Sequence, residues 1–157
     1  MIQAAFTLAF AGFLRVGKFT YGDTDREMGP AFSRRFLTES CVRLSHSTGH
    51  LYLNLPASKT DPFRDGIMLT IPTSNDNGCP VRAMTQFLAI DTHQPPNAPL
   101  FCVGKKNQYP FTREYVVRIL QERATRAGLL QGSWNCHSFR QGAATWAAED
   151  GMSENEI

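Results

Sequence analysis

The first strong pattern along the chain is apolar. Met1 to Leu14 is dominated by Ala, Leu and Phe, and Ala4 to Leu14 predicts a helix. Gly17 ends or bends it. The stretch lacks the basic lead of a secretion signal, and Arg15 closes it too early for a membrane span, so a buried helix is expected. Tyr21 to Phe36 turns polar and irregular, with Gly22, Gly29 and Pro30, and predicts a loop. Alternation follows. Leu51, Leu53 and Leu55 are interleaved with Tyr52 and Asn54, and Ile67, Leu69 and Ile71 repeat the pattern, which is that of half-buried strands. Ser40 to Leu44 supplies a further strand, joined through the turn Ser47-Thr48-Gly49, and Ser58 to Gly66 links the other two. A small antiparallel meander is expected.

The remainder predicts helices. Asn77-Gly78-Cys79-Pro80 puts a proline at a helix start that Val81 to Ile90 continues. A proline-rich loop, Gln94 to Pro99, separates it from a helix that Thr112 caps and that runs to Ala127, ended by Gly128. A last helix runs from about His137 to Asp150, with Gly151 at its end. Ser153 and Glu156 have the spacing of a capping box, which announces a new helix inside whose first turn the chain stops. With the apolar start, this predicts a piece of a longer protein. The fold class is α+β, mostly α-helical with a small three-stranded antiparallel sheet.

Composition narrows the picture modestly. A length of 157 residues suits one domain with one core. The net charge of +2 points to no partner by itself, because a nucleic-acid face can be local. Cys41, Cys79, Cys102 and Cys136 are scattered, with neither zinc-ligand spacing nor a disulfide framework, so free thiols in an intracellular protein are expected. Asp23, Asp25, Asp61, Asp65 and Asp91 form no recognisable carboxylate cluster, so a metal-independent site without a cofactor is expected.

The candidate chemistry is basic. Arg15 lies in Gly12-Phe13-Leu14-Arg15-Val16-Gly17, at the end of the apolar helix. Lys59 lies in Ser58-Lys59-Thr60-Asp61-Pro62-Phe63-Arg64, the link between two strands. His137 and Arg140 lie in His137-Ser138-Phe139-Arg140, at a helix start, three apart and therefore on one face. A helix N-terminus favours an anion. Arginine forks grip phosphate oxygens. Lysine and histidine can move protons to and from ester oxygens, and phosphoryl transfer needs fixed positive charge. The set suits a phosphodiester.

In this order, Arg, a hairpin Lys and then His-x-x-Arg, the chain resembles the tyrosine recombinase (phage integrase) family. The strings GFLRVGKFT, SKTDPFRDG and HSFRQGAATWAAEDGMSENEI look most like recombinases of eukaryotic mobile elements of the Crypton type. The resemblance spans Gly12 to Ile157. It implies that residues 1–157 are a partial catalytic domain, without the N-terminal DNA-clamping domain and without the C-terminal part that carries the nucleophile. It further implies that Arg15 and Arg140 clamp the scissile phosphate, that Lys59 protonates the leaving 5′-oxygen, and that His137 hydrogen-bonds the phosphate and assists proton transfer. A tyrosine would attack to give a 3′-phosphotyrosyl intermediate, without metal or ATP. Tyr21, Tyr52, Tyr109 and Tyr115 all precede the His-x-x-Arg box and do not match that tyrosine. The implied partners are duplex DNA and other recombinase protomers in a synaptic complex, with no membrane; the implied compartment is the nucleus. Where the family carries an acid three positions after its first arginine, this chain has Lys18, which is expected to weaken local order or to mark a decayed copy. A non-catalytic DNA-binding remnant and a decayed mobile-element product are the alternative functions. Taken singly, Arg15, Lys59 and Arg140 would be solvated surface charges and His137 a plain N-cap. Arg34-Arg35 and Lys105-Lys106 are read as solvated loop charges, Arg118, Arg123 and Arg126 as an exposed helix face paired with neighbours such as Glu122, and Trp134 and Trp146 as packing residues.

Overall fold

The computed structural model describes residues 1–45, 47–56, 66–90, 95–104, 109–129, 134–135 and 137–153. Among them are six α-helices: α1 (Ile2–Ala11), α2 (Val16–Phe19), α3 (Asp23–Arg26), α4 (Pro80–Ile90), α5 (Arg113–Arg126) and α6 (Ser138–Glu149). Strands β1 (Val42–Ser45), β2 (His50–Leu55) and β3 (Ile67–Pro72) form an antiparallel sheet in that order. The fold is α+β, as the sequence predicts. A second ribbon pairs β4 (Cys102–Val103) with β5 (Tyr109–Pro110). Strands of two residues carry no alternation, so the sequence gives no sign of it.

The sheet follows its period-two pattern. Leu53 lies between Val42 and Leu69, and Leu51 between Leu44 and Ile71. Leu51 and Leu53 are fully buried. Tyr52 points the other way, where the Arg43 guanidinium sits 4.7 Å from its ring centroid. Helix α4 packs against β2, β3 and α1, and α6 packs against α1. Met84 and Phe87 form the buried stripe of α4. Among the described residues no helix is long and apolar enough to cross a membrane.

Two stretches differ from expectation. The polar segment after Tyr21 contains α3 and a single 3-10 turn, Gly29–Ala31. It also delivers three aromatic rings to the core: Tyr21 meets Phe32 edge-on at 5.2 Å, and Phe32 meets Phe36 at 4.9 Å. The three buried positions are separated by polar residues and by Gly22, Gly29 and Pro30, so the segment reads as loop. The second difference concerns Trp146, expected to be a packing residue. It is 54% exposed and lies over Phe10 with ring centroids 6.2 Å apart. Helix α6 is buried along Phe139, Ala143 and Ala147 instead.

The interior is tied together by aromatic contacts around Phe19. Its ring lies 6.4 Å from Phe101, 6.2 Å from Phe111 and 6.4 Å from Phe139. Those partners precede β4, precede α5 and belong to α6, so one side chain connects three distant parts of the chain. Phe19→Ala should lower stability by about 3–5 kcal/mol, with Phe19→Leu losing less. Denaturant unfolding followed by circular dichroism measures this.

Helix α4 starts on a sulfur. The Cys79 Sγ accepts from the backbone N–H of Arg82 at 3.5 Å and of Ser74 at 3.4 Å, and lies 3.4 Å from the Thr73 hydroxyl. It thus takes the role of an N-cap ahead of Pro80. Burial of the sulfur works to raise its pKa, but the Thr73 hydroxyl and these N–H groups outweigh it and bring the value from 9.0 down to about 7. The unfolded thiol therefore binds more protons between these values, and stability should rise with pH across them. That contribution is complete above about pH 9 and disappears as pH falls through about 7. Unfolding curves of the native chain and of Cys79→Ser, taken from pH 6.5 to 9.5, should diverge in this direction; parallel curves would exclude a thiolate at α4.

Candidate nucleic-acid interface

Arg15 does not close a continuous apolar helix. Helix α1 stops at Ala11, and a tight C-terminal motif follows. The Leu14 N–H reaches the Ala9 carbonyl at 2.8 Å and the Phe13 N–H reaches Phe10 at 3.1 Å, the Schellman pattern. Helices α5 and α6 end in the same pattern with Gly128 and Gly151 at the left-handed position. In α1 that position is Phe13, at φ 51°, the one non-glycine residue with positive φ among the described residues. A side chain there costs about 1–3 kcal/mol, a strain found at functional corners. The motif turns the chain so that Arg15 becomes the N-cap residue of α2, in an extended conformation. Leu14 and Val16 on either side are buried, which pins the Arg15 backbone while its side chain stands in solvent.

His137 and Arg140 occupy the start of α6. His137 is the N-cap residue, but its ring makes no capping hydrogen bond, so the plain N-cap role does not apply. Its neighbours do the capping. The His137 N–H donates to Asn135 Oδ1 at 2.8 Å, and the Asn135 N–H donates to Ser138 Oγ at 2.8 Å, a reciprocal pair resembling a capping box. His137 and Arg140 are both exposed, while Phe139 between them is buried. The Phe139 ring meets Phe6 of α1 at 4.8 Å and Phe19 of α2 at 6.4 Å. The first turn of α6 is therefore locked to the corner that holds Arg15.

Lys59 lies outside the described residues, as do Lys105, Lys106 and Cys136. The strand that leads toward Lys59 is nevertheless tied to the same corner. Lys18 Nζ donates to the Pro56 carbonyl, just beyond β2, at 2.9 Å across 38 positions of sequence. The expectation that Lys18 weakens local order thus meets a long-range, half-buried contact. Helix α2 follows Arg15 as its N-cap residue, reaches Pro56, just beyond β2, through Lys18 and reaches α6 through Phe19. A link across 38 positions leaves no local sequence pattern.

The arginines differ in their partners. Among the described residues the ion pairs include Arg126 with Glu122 at 2.6 Å and Arg35 with Asp25 at 4.0 Å. The first fulfils the expectation of a paired helix face. Arg35 also lies over the Phe36 ring at 5.2 Å, and Arg118 over Tyr115 at 5.3 Å. Arg15 and Arg140 have no carboxylate within ion-pair distance among the described residues. A cleft of about 320 Å³ next to α2 carries Asp25, Arg35, Arg113 and Glu114, but none of Arg15, His137 and Arg140. The side chains of Arg15, His137 and Arg140 are exposed instead. Tyr21 cannot act there as a nucleophile: its buried phenol donates to the Phe101 carbonyl at 2.9 Å, and burial with the Cys102 contact raises its pKa well above 10.0.

Comparison with known proteins agrees at the level of fold. No family model matches the chain, and no curated protein matches it. Among solved structures it is similar to the site-specific recombinase XerH, crystallised bound to its difH substrate in a pre-cleavage complex. The TM-score is 0.61 at 14% identity, over 96% of this chain and 36% of that one. This chain therefore spans about a third of the length of that recombinase.

The bond from the His137 N–H to Asn135 Oδ1 gives this face its own stability test. Asn135→Ala should cost about 1 kcal/mol in urea unfolding, and Asn135→Asp, which keeps the acceptor, a fraction of that. Equal losses in the two variants would mean that the cap does not hold the start of α6.

Proposed function

We propose that this chain is the phosphate-gripping part of a tyrosine-recombinase-type DNA breaking and rejoining domain. The carrying observation is the pair of exposed arginines, Arg15 and Arg140, which have no carboxylate partner among the described residues and stand on two elements locked through Phe19 and Phe139. The fold likeness to a site-specific recombinase supports the reading, as does the order Arg15, Lys59, His137, Arg140.

In this reading Arg15 and Arg140 hold the non-bridging oxygens of one phosphodiester and offset the charge that builds up during transfer. His137, beside the positive end of α6, hydrogen-bonds the same phosphate. Lys59 is assigned protonation of the leaving 5′-oxygen by resemblance alone. The attacking tyrosine is none of Tyr21, Tyr52, Tyr109 and Tyr115. The partner is duplex DNA, with further protomers in a synaptic assembly. The Crypton-like strings extend the proposal to DNA of a eukaryotic mobile element and to the nucleus.

Fluorescence anisotropy with a labelled duplex tests the clamp. Arg15→Ala and Arg140→Ala should each weaken binding by roughly tenfold or more, evenly across DNA sequences. Each should also flatten the dependence of log K on log salt by about 0.9. Arg126→Ala, distant in sequence and paired with Glu122, serves as the control. If the three variants behave alike, Arg15 and Arg140 do not grip phosphate.

A further inference from the structure

Lys18 stands where the resembling family carries an acid, and its contact gives it a different task. Its Nζ donates to the Pro56 carbonyl at 2.9 Å. A carboxylate offers no donor and could not make this bond. The Lys18 backbone is itself fixed, its N–H bonded to Arg15 at 2.8 Å and its carbonyl accepting from Leu37 at 3.3 Å. The buried Phe19 follows it. Pro56 is the residue at which the sheet ends: the β2–β3 ladder closes at Leu55 opposite Ile67. The other foot of the connector is also constrained. Gly66 has φ +74°, and a Cβ there would collide with the Leu55 carbonyl oxygen. Both ends of the connector are thereby set, one of them by a charge-assisted hydrogen bond to the helix that Arg15 caps.

We propose that Lys18 is a positioning residue that fixes where the β2–β3 connector leaves the sheet, three residues ahead of Lys59. The task assigned to Lys59 rests on the function proposed above; the anchoring itself does not. The same contact would couple the first basic box to the second, because α2 cannot shift without moving Pro56.

The test uses hydrogen exchange on the DNA-free chain and then lysine acylation with duplex DNA bound. Lys18→Met keeps the aliphatic stem and removes the donor; Lys18→Arg restores one. In Lys18→Met, exchange in peptides covering residues 54–67 should speed up about tenfold, with α6 unchanged, and Lys18→Arg should restore the native rate. With DNA bound, Lys59 should be shielded in the native chain and in Lys18→Arg but not in Lys18→Met. Unchanged exchange in Lys18→Met overturns the proposal. So does a rise shared equally by α4 and α6, which would make Lys18 a general stability residue. Shielding of Lys59 that survives Lys18→Met also overturns it. A native Lys59 that DNA does not shield overturns the function assigned to Lys59, while the exchange rates still decide the anchor.

Discussion

The structure depends on a short helix that could not stand alone. Helix α2 has four residues, too few for a helix to persist on propensity. Phe19 holds it, through rings contributed from near β4, α5 and α6. The consequence is geometric. A side chain in the core sets the direction of a helix whose first residue, Arg15, lies on the surface. The same ring sets where α6 begins, through Phe139. Residues separated by well over a hundred positions in sequence are thus placed by one packing contact, which requires no direct bond between them.

The turn before α2 shows how local strain serves this arrangement. Three helices end in the same hydrogen-bonded motif, and two of them use glycine where the backbone demands a left-handed residue. The third uses Phe13. A glycine would remove the strain but would also loosen the unfolded and native chain at this corner. Phe13 sits two residues before Arg15, between α1 and α2. The strain is sustained because Leu14 and Val16 are buried immediately after it. The corner is over-determined by packing, so a surface arginine gains a backbone with little freedom.

The sequence made the large elements readable for reasons that packing confirms. Leu51 and Leu53 alternate because one face of β2 is sealed, and α5 is bounded by Thr112, whose hydroxyl accepts from the Tyr115 N–H at 3.1 Å, and by Gly128. What escaped was sparse or interrupted. Tyr21, Phe32 and Phe36 enter the core from an irregular segment, and α1 ends three residues early because a glycine and a left-handed phenylalanine interrupt an otherwise continuous apolar run. At the candidate site, the residue types of Arg15, His137 and Arg140 were legible as a set suited to phosphate. Their common anchorage was not, because it passes through Phe19 and Phe139, which read simply as core. The Lys18 contact escaped for the same reason: its partner is Pro56, which only the fold brings near.

An anion on this face would have to be drawn by local charge. Net charge is small, so no long-range field drives association. Whatever attraction exists must be local. Four other arginines have partners: Arg126 has Glu122, Arg35 has Asp25 and Phe36, Arg43 has Tyr52 and Arg118 has Tyr115. An arginine already paired must surrender a carboxylate before it can take a phosphate, and the exchange gains little. Arg15 and Arg140 face no such competition among the described residues, and each is mounted on backbone that the core holds still. Pre-placed cations lose little freedom on binding, so more of each phosphate contact is retained as affinity. A chain with modest overall charge can therefore offer a local anion site, provided that its cations are held in place before the anion arrives.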